Sequence, residues 1–220
     1  MYFRFLDLIF AGVAIFEAVL LTISLYLSSK RNIFGELESL KLIYSVGFFF
    51  LVFGSAHALL LFLLRKSFPV PEGDHKMKGY AFTVWKVRFV IREITYHVLK
   101  FYFPTFGRTT LFRILGASIG TLTHVSAYID DPEHTQIGSN CILGRKVSLS
   151  SHFLTQNRFY LKSIKIGNRV TIGLGSLIMA GVEIGDDSII APGSVLLPET
   201  KVPSREIWSG NPAMKIKKVE

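Results

Sequence analysis

Aliphatic side chains recur every six residues along the second half of this chain, at Ile166, Ile172, Ile178, Ile184, Ile190, Leu196 and Val202. An earlier block keeps the same step at Ile119, Val125, Ile137, Leu143 and Leu149, and Asp131 stands where one aliphatic is due. Glycine follows the aliphatic at Gly120, Gly138, Gly144, Gly167, Gly173 and Gly185. Small or β-branched residues lie four positions after it, among them Thr123, Cys141, Val147, Val170, Ser176, Val182, Ser188 and Ser194. A helix repeats near 3.6 residues and a flat strand at 2, so neither sustains such a step. The pattern predicts a parallel β-helix, in which each hexapeptide makes one short strand and one corner and three complete a triangular coil. The aliphatic points into a narrow prism, glycine permits a tight corner, and only a small residue fits beside it. Cys141 falls in such a slot and is expected to pack rather than react; as the sole cysteine it also excludes an internal disulfide.

The first part of the chain follows different rules. Half of all residues are hydrophobic and 19% are charged, a balance that argues against disorder and against a wholly soluble protein. Phe5–Leu27 contains fourteen Leu, Ile, Val or Phe residues with only Asp7 and Glu17 charged, and Leu42–Leu64 contains fifteen with only His57 titratable. Each run is long enough, at ~1.5 Å per residue, to cross the hydrocarbon core of a bilayer. The first is too long for a signal peptide and lacks a basic leader beyond Arg4. The reading is a transmembrane α-helical hairpin in residues 1–64, with Glu17 and His57 as its polar groups. Lys30, Arg31 and Lys41 lie between the spans, whereas Arg65, Lys66, Lys76 and Lys78 follow the second. The positive-inside rule then puts everything after Leu64 in the cytoplasm, as in a bacterial-type inner-membrane protein.

The formal charge of +9 is uneven. Residues 1–64 are neutral overall, 65–116 hold ten basic and three acidic side chains, and 117–220 hold eleven and nine. The excess therefore lies between the hairpin and the repeat, where anionic lipid headgroups would be. Tyr80–Phe103 is crowded with aromatics but interrupted by a polar stripe of Lys86, Glu93, His97 and Lys100 at helical spacing. It reads as an amphipathic interfacial helix, and a short helix follows at Thr109–Leu115. Nucleic acid is not an expected partner, because no nucleic-acid-binding motif is present.

The repeat resembles the hexapeptide-repeat acyltransferases from roughly Leu115 to Val219. The close Gly210-Asn211-Pro212-Ala213, after Trp208-Ser209, is similar to the G-x-P-A ending of their acetyl-CoA-dependent members. A second likeness takes in Val70-Pro71-Glu72-Gly73, the aromatic-basic helix and Arg113-Ile114-Leu115-Gly116-Ala117-Ser118-Ile119-Gly120. These resemble the membrane-bound C-terminal module of polylysine-synthetase-type nonribosomal peptide synthetases, here without adenylation or carrier domains. The resemblance implies a left-handed β-helix in residues 117–220, a homotrimer with active sites between subunits, and an acyl thioester such as acetyl-CoA as co-substrate.

Leu149 and Ile166 are seventeen residues apart, so the coil is interrupted, at Phe153–Ser163, directly after Ser150-Ser151-His152. In the galactoside and maltose acetyltransferase branch a catalytic histidine precedes such a loop, ahead of an I-G-x-x-V-x-I-G run. Here that run is Ile166-Gly167-Asn168-Arg169-Val170-Thr171-Ile172-Gly173, so the resemblance gives the role to His152. A neutral imidazole can take a proton from a hydroxyl or amine as that group attacks a thioester. Ser150, Ser151 and Asn157 are candidates to orient the acceptor, and His134, eighteen residues before His152, is expected one coil below it. For the thioester donor the resemblance points to Leu174, to Ala191, Pro192 and Gly193, and to the tail with Lys215 and Lys217. No metal is expected, since the H-x4-H pair of β-helical carbonic anhydrases is missing. The expected function is acylation of a hydroxyl or amine on a lipid-, glycan- or peptide-linked acceptor. An amide-forming module using an aminoacyl or carrier-protein thioester, and a non-catalytic β-helical scaffold, are the alternatives.

Overall fold

The computed structural model describes residues 38–103 and 107–219, together with Ile23. The first expected span, Phe5–Leu27, and Glu17 within it lie outside the described residues, apart from Ile23.

The six-residue period folds as a parallel β-helix. One ladder stacks Ser118–Ile119, Thr135–Ile137, Ile164–Ile166, Glu183–Ile184 and Lys201–Val202. A second stacks His124–Val125, Ile142–Leu143, Thr171–Ile172, Ile189–Ile190 and Glu206–Gly210, and a third Tyr128–Ile129, Ser148–Leu149, Leu177–Ile178 and Val195–Leu196. Each aliphatic of the period faces the prism, and Leu143, Leu149, Ile178, Ile190 and Leu196 are wholly buried. The small slots solve a polar problem as well as a steric one. Thr123 Oγ1 donates to the Gly138 carbonyl (2.7 Å), Ser176 Oγ to that of Ala191 (3.0 Å) and Ser188 Oγ to that of Pro203 (2.9 Å). Corner carbonyls of the next coil are thereby satisfied inside the core. Cys141 sits in its slot fully buried.

One corner is turned in every coil by a non-glycine residue with positive φ: Leu122, Asn140, Arg169, Asp187 and Arg205. The left-handed region costs such residues about 1–2 kcal/mol. Hydrogen bonds to the coil below offset it, since the N–H groups of Asn140, Arg169, Asp187 and Arg205 donate to Thr121, Ser139, Asn168 and Asp186 carbonyls at 2.8–2.9 Å.

Two irregularities shape the repeat near its start. Ile129, not residue 131, faces the prism in the first coil, pairing with Leu149. The two residues saved there are returned before Ile137, as Asp131 and a 3₁₀ turn at Pro132–His134. The second irregularity is the expected extrusion. His152–Leu154 pairs antiparallel with Arg158–Leu161, which pairs in turn with Gly73–Lys76 from upstream of the repeat. Ile137 and Ile166 remain in register across it.

Among the described residues, the helices α1 (Glu38–Ser67), α2 (Tyr80–Leu99) and α3 (Arg108–Leu115) precede the coil. α3 buries Leu111, Phe112 and Leu115 in the cluster that includes the prism residues, closing the N-terminal end of the coil. Gly116 ends α3 in the left-handed conformation. The Leu115 carbonyl accepts a hydrogen bond from Arg65 Nη1 at 2.8 Å. The segment Ile43–Ser67 of α1 is long and apolar enough to cross a membrane, with mean hydropathy 2.2. Within it His57 Nδ1 bonds the Phe53 carbonyl of its own helix.

The reading of residues 80–103 as an interfacial helix needs correction. α2 packs between α1 and the repeat, burying Phe82, Trp85, Val87, Arg88, Ile91, Arg92, Thr95 and Leu99. The basic excess of residues 65–116 likewise divides by residue type. Arg65, Arg88, Arg92 and Arg113 bond carbonyls or carboxylates of the fold, whereas Lys66, Lys76, Lys78 and Lys86 are exposed. The fork of a guanidinium suits such internal bonds better than an ammonium does.

Stacked glycines set the spacing between coils. A Cβ on Gly138 would fall 2.5 Å from the carbonyl oxygen of Gly167, a backbone atom that cannot move away without opening the ladder. Gly138→Ala is therefore expected to cost about 1–3 kcal/mol, lowering the thermal midpoint by several degrees in a calorimetric scan.

Candidate active site

The shifted corner and the extruded hairpin meet at His152. This residue opens the hairpin at the point where the chain leaves the coil, and its side chain is 14% exposed. Its Nδ1 lies 2.6 Å from Asp131 Oδ2. Asp131 is fully buried, and its other oxygen accepts from Trp85 Nε1 (2.9 Å) and Arg92 Nη1 (3.2 Å). Burial alone would push the Asp131 carboxyl upward. The hydrogen bond and charge of His152, the Arg92 charge and the Trp85 hydrogen bond outweigh it, bringing the group from its ordinary 3.8 down to about 2. An ionised Asp131 accepts only, so Nδ1 carries the proton and Nε2 of the neutral ring presents a lone pair. Aromatic rings enclose the imidazole, with ring centroids of Trp85, Phe159 and Phe89 at 4.5, 6.3 and 6.4 Å. The arrangement can accept a proton at one fixed point and stabilise the imidazolium that results.

The surroundings on the outer face are polar. Asp130 stacks beneath Ser150 in the coil, and burial holds its carboxyl above the ordinary range, Ser150 opposing and the Asp131 charge reinforcing the shift. Tyr128 donates to the Glu93 carboxylate at 2.7 Å, tying α2 to the repeat. Glu93 of the polar stripe thus serves a contact within the protein.

Of the acceptor candidates, only Ser150 stays beside His152, its hydroxyl donating to the His152 carbonyl at 3.1 Å. Ser151 is wholly buried and donates to the His134 carbonyl (2.9 Å), so it cannot reach an acceptor. Asn157 lies at the tip of the hairpin, the far end from His152, with its carbonyl accepting from the Met77 N–H. His134 does not lie one coil below His152. Ile164 occupies the place above Thr135, because the insertion consumes eleven residues, and Ser163 Oγ is the group 3.5 Å from His134 Nδ1. Glu72 and Glu133 flank the same imidazole at 3.9 Å each.

The donor candidates separate into two groups. Leu174 and Gly193 lie one coil apart at one corner, the Gly193 N–H donating to the Leu174 carbonyl (2.9 Å), and Pro192 stacks directly over Gly173. Ala191 uses its carbonyl to accept from Ser176 and Ser194. Lys215 and Lys217 belong to the strand Ala213–Lys218, which folds back antiparallel on Glu206–Gly210. Lys217 is exposed, but Lys215 is paired with Glu206, which also accepts from Trp208.

The sequence reading passed over Asp131, Trp85 and Arg92 as site residues. Asp131 carried a signal, since an acid at an aliphatic position of a strict period must have a buried partner. Trp85, Arg88 and Arg92 also fall at helical spacing, on a face about a third of a turn from the polar stripe.

With this geometry in view, the chain can be set beside known proteins. Residues 163–198 match the family described as bacterial transferase hexapeptide (six repeats). Within the coil, these residues carry the six-residue repeat of that family. The chain is 30% identical over 81 residues to YvoF of Bacillus subtilis, provisionally named an acetyltransferase, covering 37% of this chain and 46% of that one. It is 35% identical over 98 residues to galactoside O-acetyltransferase of Escherichia coli (41% and 47% covered). It is also 29% identical over 125 residues to delta-poly-L-ornithine synthetase of Acinetobacter baumannii, covering 56% of this chain and 9% of that one. The chain thus spans less than half the length of each of these relatives. The last match is longer than the stretch from residue 117 to the end of the chain, so it reaches into the helical region.

Asp131→Asn keeps the shape but removes the charge that fixes the Nδ1 proton. Loss of a correctly held proton acceptor is worth about 10²–10⁴-fold in rate, read as kcat in a thioester-cleavage assay. Stability gives a second readout. Because the folded carboxyl lies below its unfolded value, Asp131 stabilises the fold above about pH 4, and that contribution disappears as pH falls towards 2. The thermal midpoint of the natural protein should decline through this window more steeply than that of Asp131→Asn.

Proposed function

We propose that this chain is a membrane-anchored acyltransferase, moving an acyl group, acetyl in the first instance, from a CoA-type thioester to a hydroxyl or amine of a membrane-associated acceptor. The observation that carries the reading is the His152–Asp131 pair, set where a hairpin leaves a hexapeptide-repeat coil. His152 Nε2 takes the proton from the attacking group, and the imidazolium so formed is neutralised by Asp131. A thioester is already activated, so no enzyme nucleophile is required, and the buried Cys141 supplies none. Ser150 and Asp130 line the acceptor side. The corner of Leu174 and Pro192–Gly193, with the exposed Lys217 of the tail, lies toward the thioester donor, and a homotrimer brings this corner of one subunit to the histidine of the next.

Anchoring is supported by α1. Ile43, Val46, Phe50, Leu51, Leu59, Phe62 and Leu63 are exposed on it, a large apolar surface of the kind a bilayer covers. With this span in the membrane, the exposed lysines at positions 66, 76, 78 and 86 follow it on the cytoplasmic side. The amide-forming alternative is favoured by one observation, the likeness to delta-poly-L-ornithine synthetase that extends beyond the repeat. Both chemistries use the same base, and the acceptor decides between them.

The test is release of CoA thiol from acetyl-CoA by the full chain in lipid nanodiscs, with panels of amine and hydroxyl acceptors. His152→Ala should lose at least about 100-fold in kcat while retaining its melting transition. A variant that retains full turnover would sink the reading and leave the scaffold as the better account.

A further inference from the structure

Asp131 belongs to the repeat, yet both donors to its Oδ1 come from outside it. Trp85 and Arg92 are seven residues apart on α2, hence two turns along one face, and they approach the same carboxylate oxygen at 2.9 and 3.2 Å. Oδ2 is left for His152. We propose that Trp85 and Arg92 are positioning residues: they fix the plane and charge of Asp131, and through it the His152 ring, so that docking of α2 on the coil is a condition of turnover. This rests on the reading of His152 as the base.

Two features argue that the contacts serve the dyad rather than only the packing. The first is the cost of Arg92. Its Nε and Nη2 are buried without a hydrogen-bond partner, and its guanidinium lies over the Phe89 ring at 4.6 Å. A buried arginine that makes so few hydrogen bonds is a poor stabiliser by itself. Its charge is matched by Asp131, with Glu93 farther off at 3.6 Å. The second is the double contact of Trp85. Its N–H holds Asp131 while its ring borders the imidazole, and Phe82 and Phe159 hold that ring in turn at 5.8 and 4.8 Å. One side chain therefore fixes both members of the pair relative to each other.

Farther along, α2 also packs against α1. A Cβ on Gly54 would fall 2.5 Å from Leu99, so the two helices are in intimate contact at that level. The apolar helix α1, the helix α2 and the dyad consequently form one packed series. Displacement of α2 withdraws both donors from Oδ1 at once and frees the carboxylate to rotate.

The charged and titratable groups around the pair are Arg88, Arg92 and Glu93 from α2, Tyr128 and Asp130 from the repeat, Glu133 and His134 from the 3₁₀ turn, and Glu72 beyond it. Removing the Arg92 charge leaves the carboxylates in excess, which favours the protonated dyad. The acidic limb of the pH–rate profile then moves to higher pH. A role confined to packing would not move it.

The experiment uses the full chain in nanodiscs with Trp85→Phe, Arg92→Met and Arg92→Lys, and Lys86→Ala as an outward-facing control. Trp85→Phe keeps an aromatic ring and should lower kcat between about 10- and 100-fold with little change in KM. Arg92→Met should shift the acidic limb upward by at least about half a pH unit, and Arg92→Lys should restore it. A reading independent of turnover comes from ¹⁵N-histidine NMR. The Nδ1 proton of a short imidazole–carboxylate bond resonates at low field; it should vanish in Asp131→Asn and shift in Trp85→Phe. If Arg92→Met fails to fold, Trp85→Phe and Arg92→Lys carry the test. Unchanged kcat, pH limb and resonance in the α2 variants, with activity lost in His152→Ala, would overturn this inference alone. Activity retained in His152→Ala would instead overturn the reading beneath it.

Discussion

Asp131 holds a negative charge where no water reaches it, and much of the molecule is arranged to make that tolerable. A buried carboxylate without partners would take up a proton, since desolvation penalises the charged form. Here three donors meet it, from a helix upstream of the repeat and from the base of the hairpin. The charge thus joins three parts of the chain that the hexapeptide period alone would not bring together. Without α2 the carboxylate would have His152 as its remaining side-chain donor, and without the hairpin His152 would continue around the coil.

The coil supplies the opposite property, which is regularity. Backbone hydrogen bonds between coils, hydroxyls in the small slots and aliphatics in the prism repeat with little variation, so each coil is stabilised chiefly by its neighbours. The proposed site sits at the two places where this regularity fails. The two-residue shift at Ile129 makes room for Asp131, and the extrusion after Ser151 presents His152. Strain and polar burial are affordable at these points because the stack on either side is continuous.

The coil was legible in the sequence because its rule is local: a step of six, with glycine and a small residue at fixed offsets. The interruption beside His152 was legible for a related reason, since a gap of seventeen residues cannot be a whole number of hexapeptides; the role proposed for the histidine came from the family resemblance. The partners were not, because they depend on what packs against the coil. Lys86, Glu93, His97 and Lys100 form one polar stripe of α2, but a different face, that of Trp85 and Arg92, meets the site, and a tryptophan beside two arginines looks from sequence like an interface with lipid. His134 was misplaced for a simpler reason. Counting eighteen residues finds the neighbouring coil only where no residue has been diverted into an insertion. Ser151 and Asn157 are both near His152 in sequence, but Ser151 is buried in the coil before the hairpin and Asn157 lies at the hairpin's far end.

The hairpin enters and leaves the coil at one corner. Ile137 and Ile166 pair as though Phe153–Ser163 were not there, and without those eleven residues the step from Leu149 to the next aliphatic would be six. The insertion is therefore a cassette: its length and composition can change while the stack keeps its pitch. Its outer edge is paired with Gly73–Lys76 from the segment between α1 and α2. A change of cassette must accordingly be matched in that segment, so that diversification at this site proceeds by two distant stretches of chain altering together, with the coil between them left as it was.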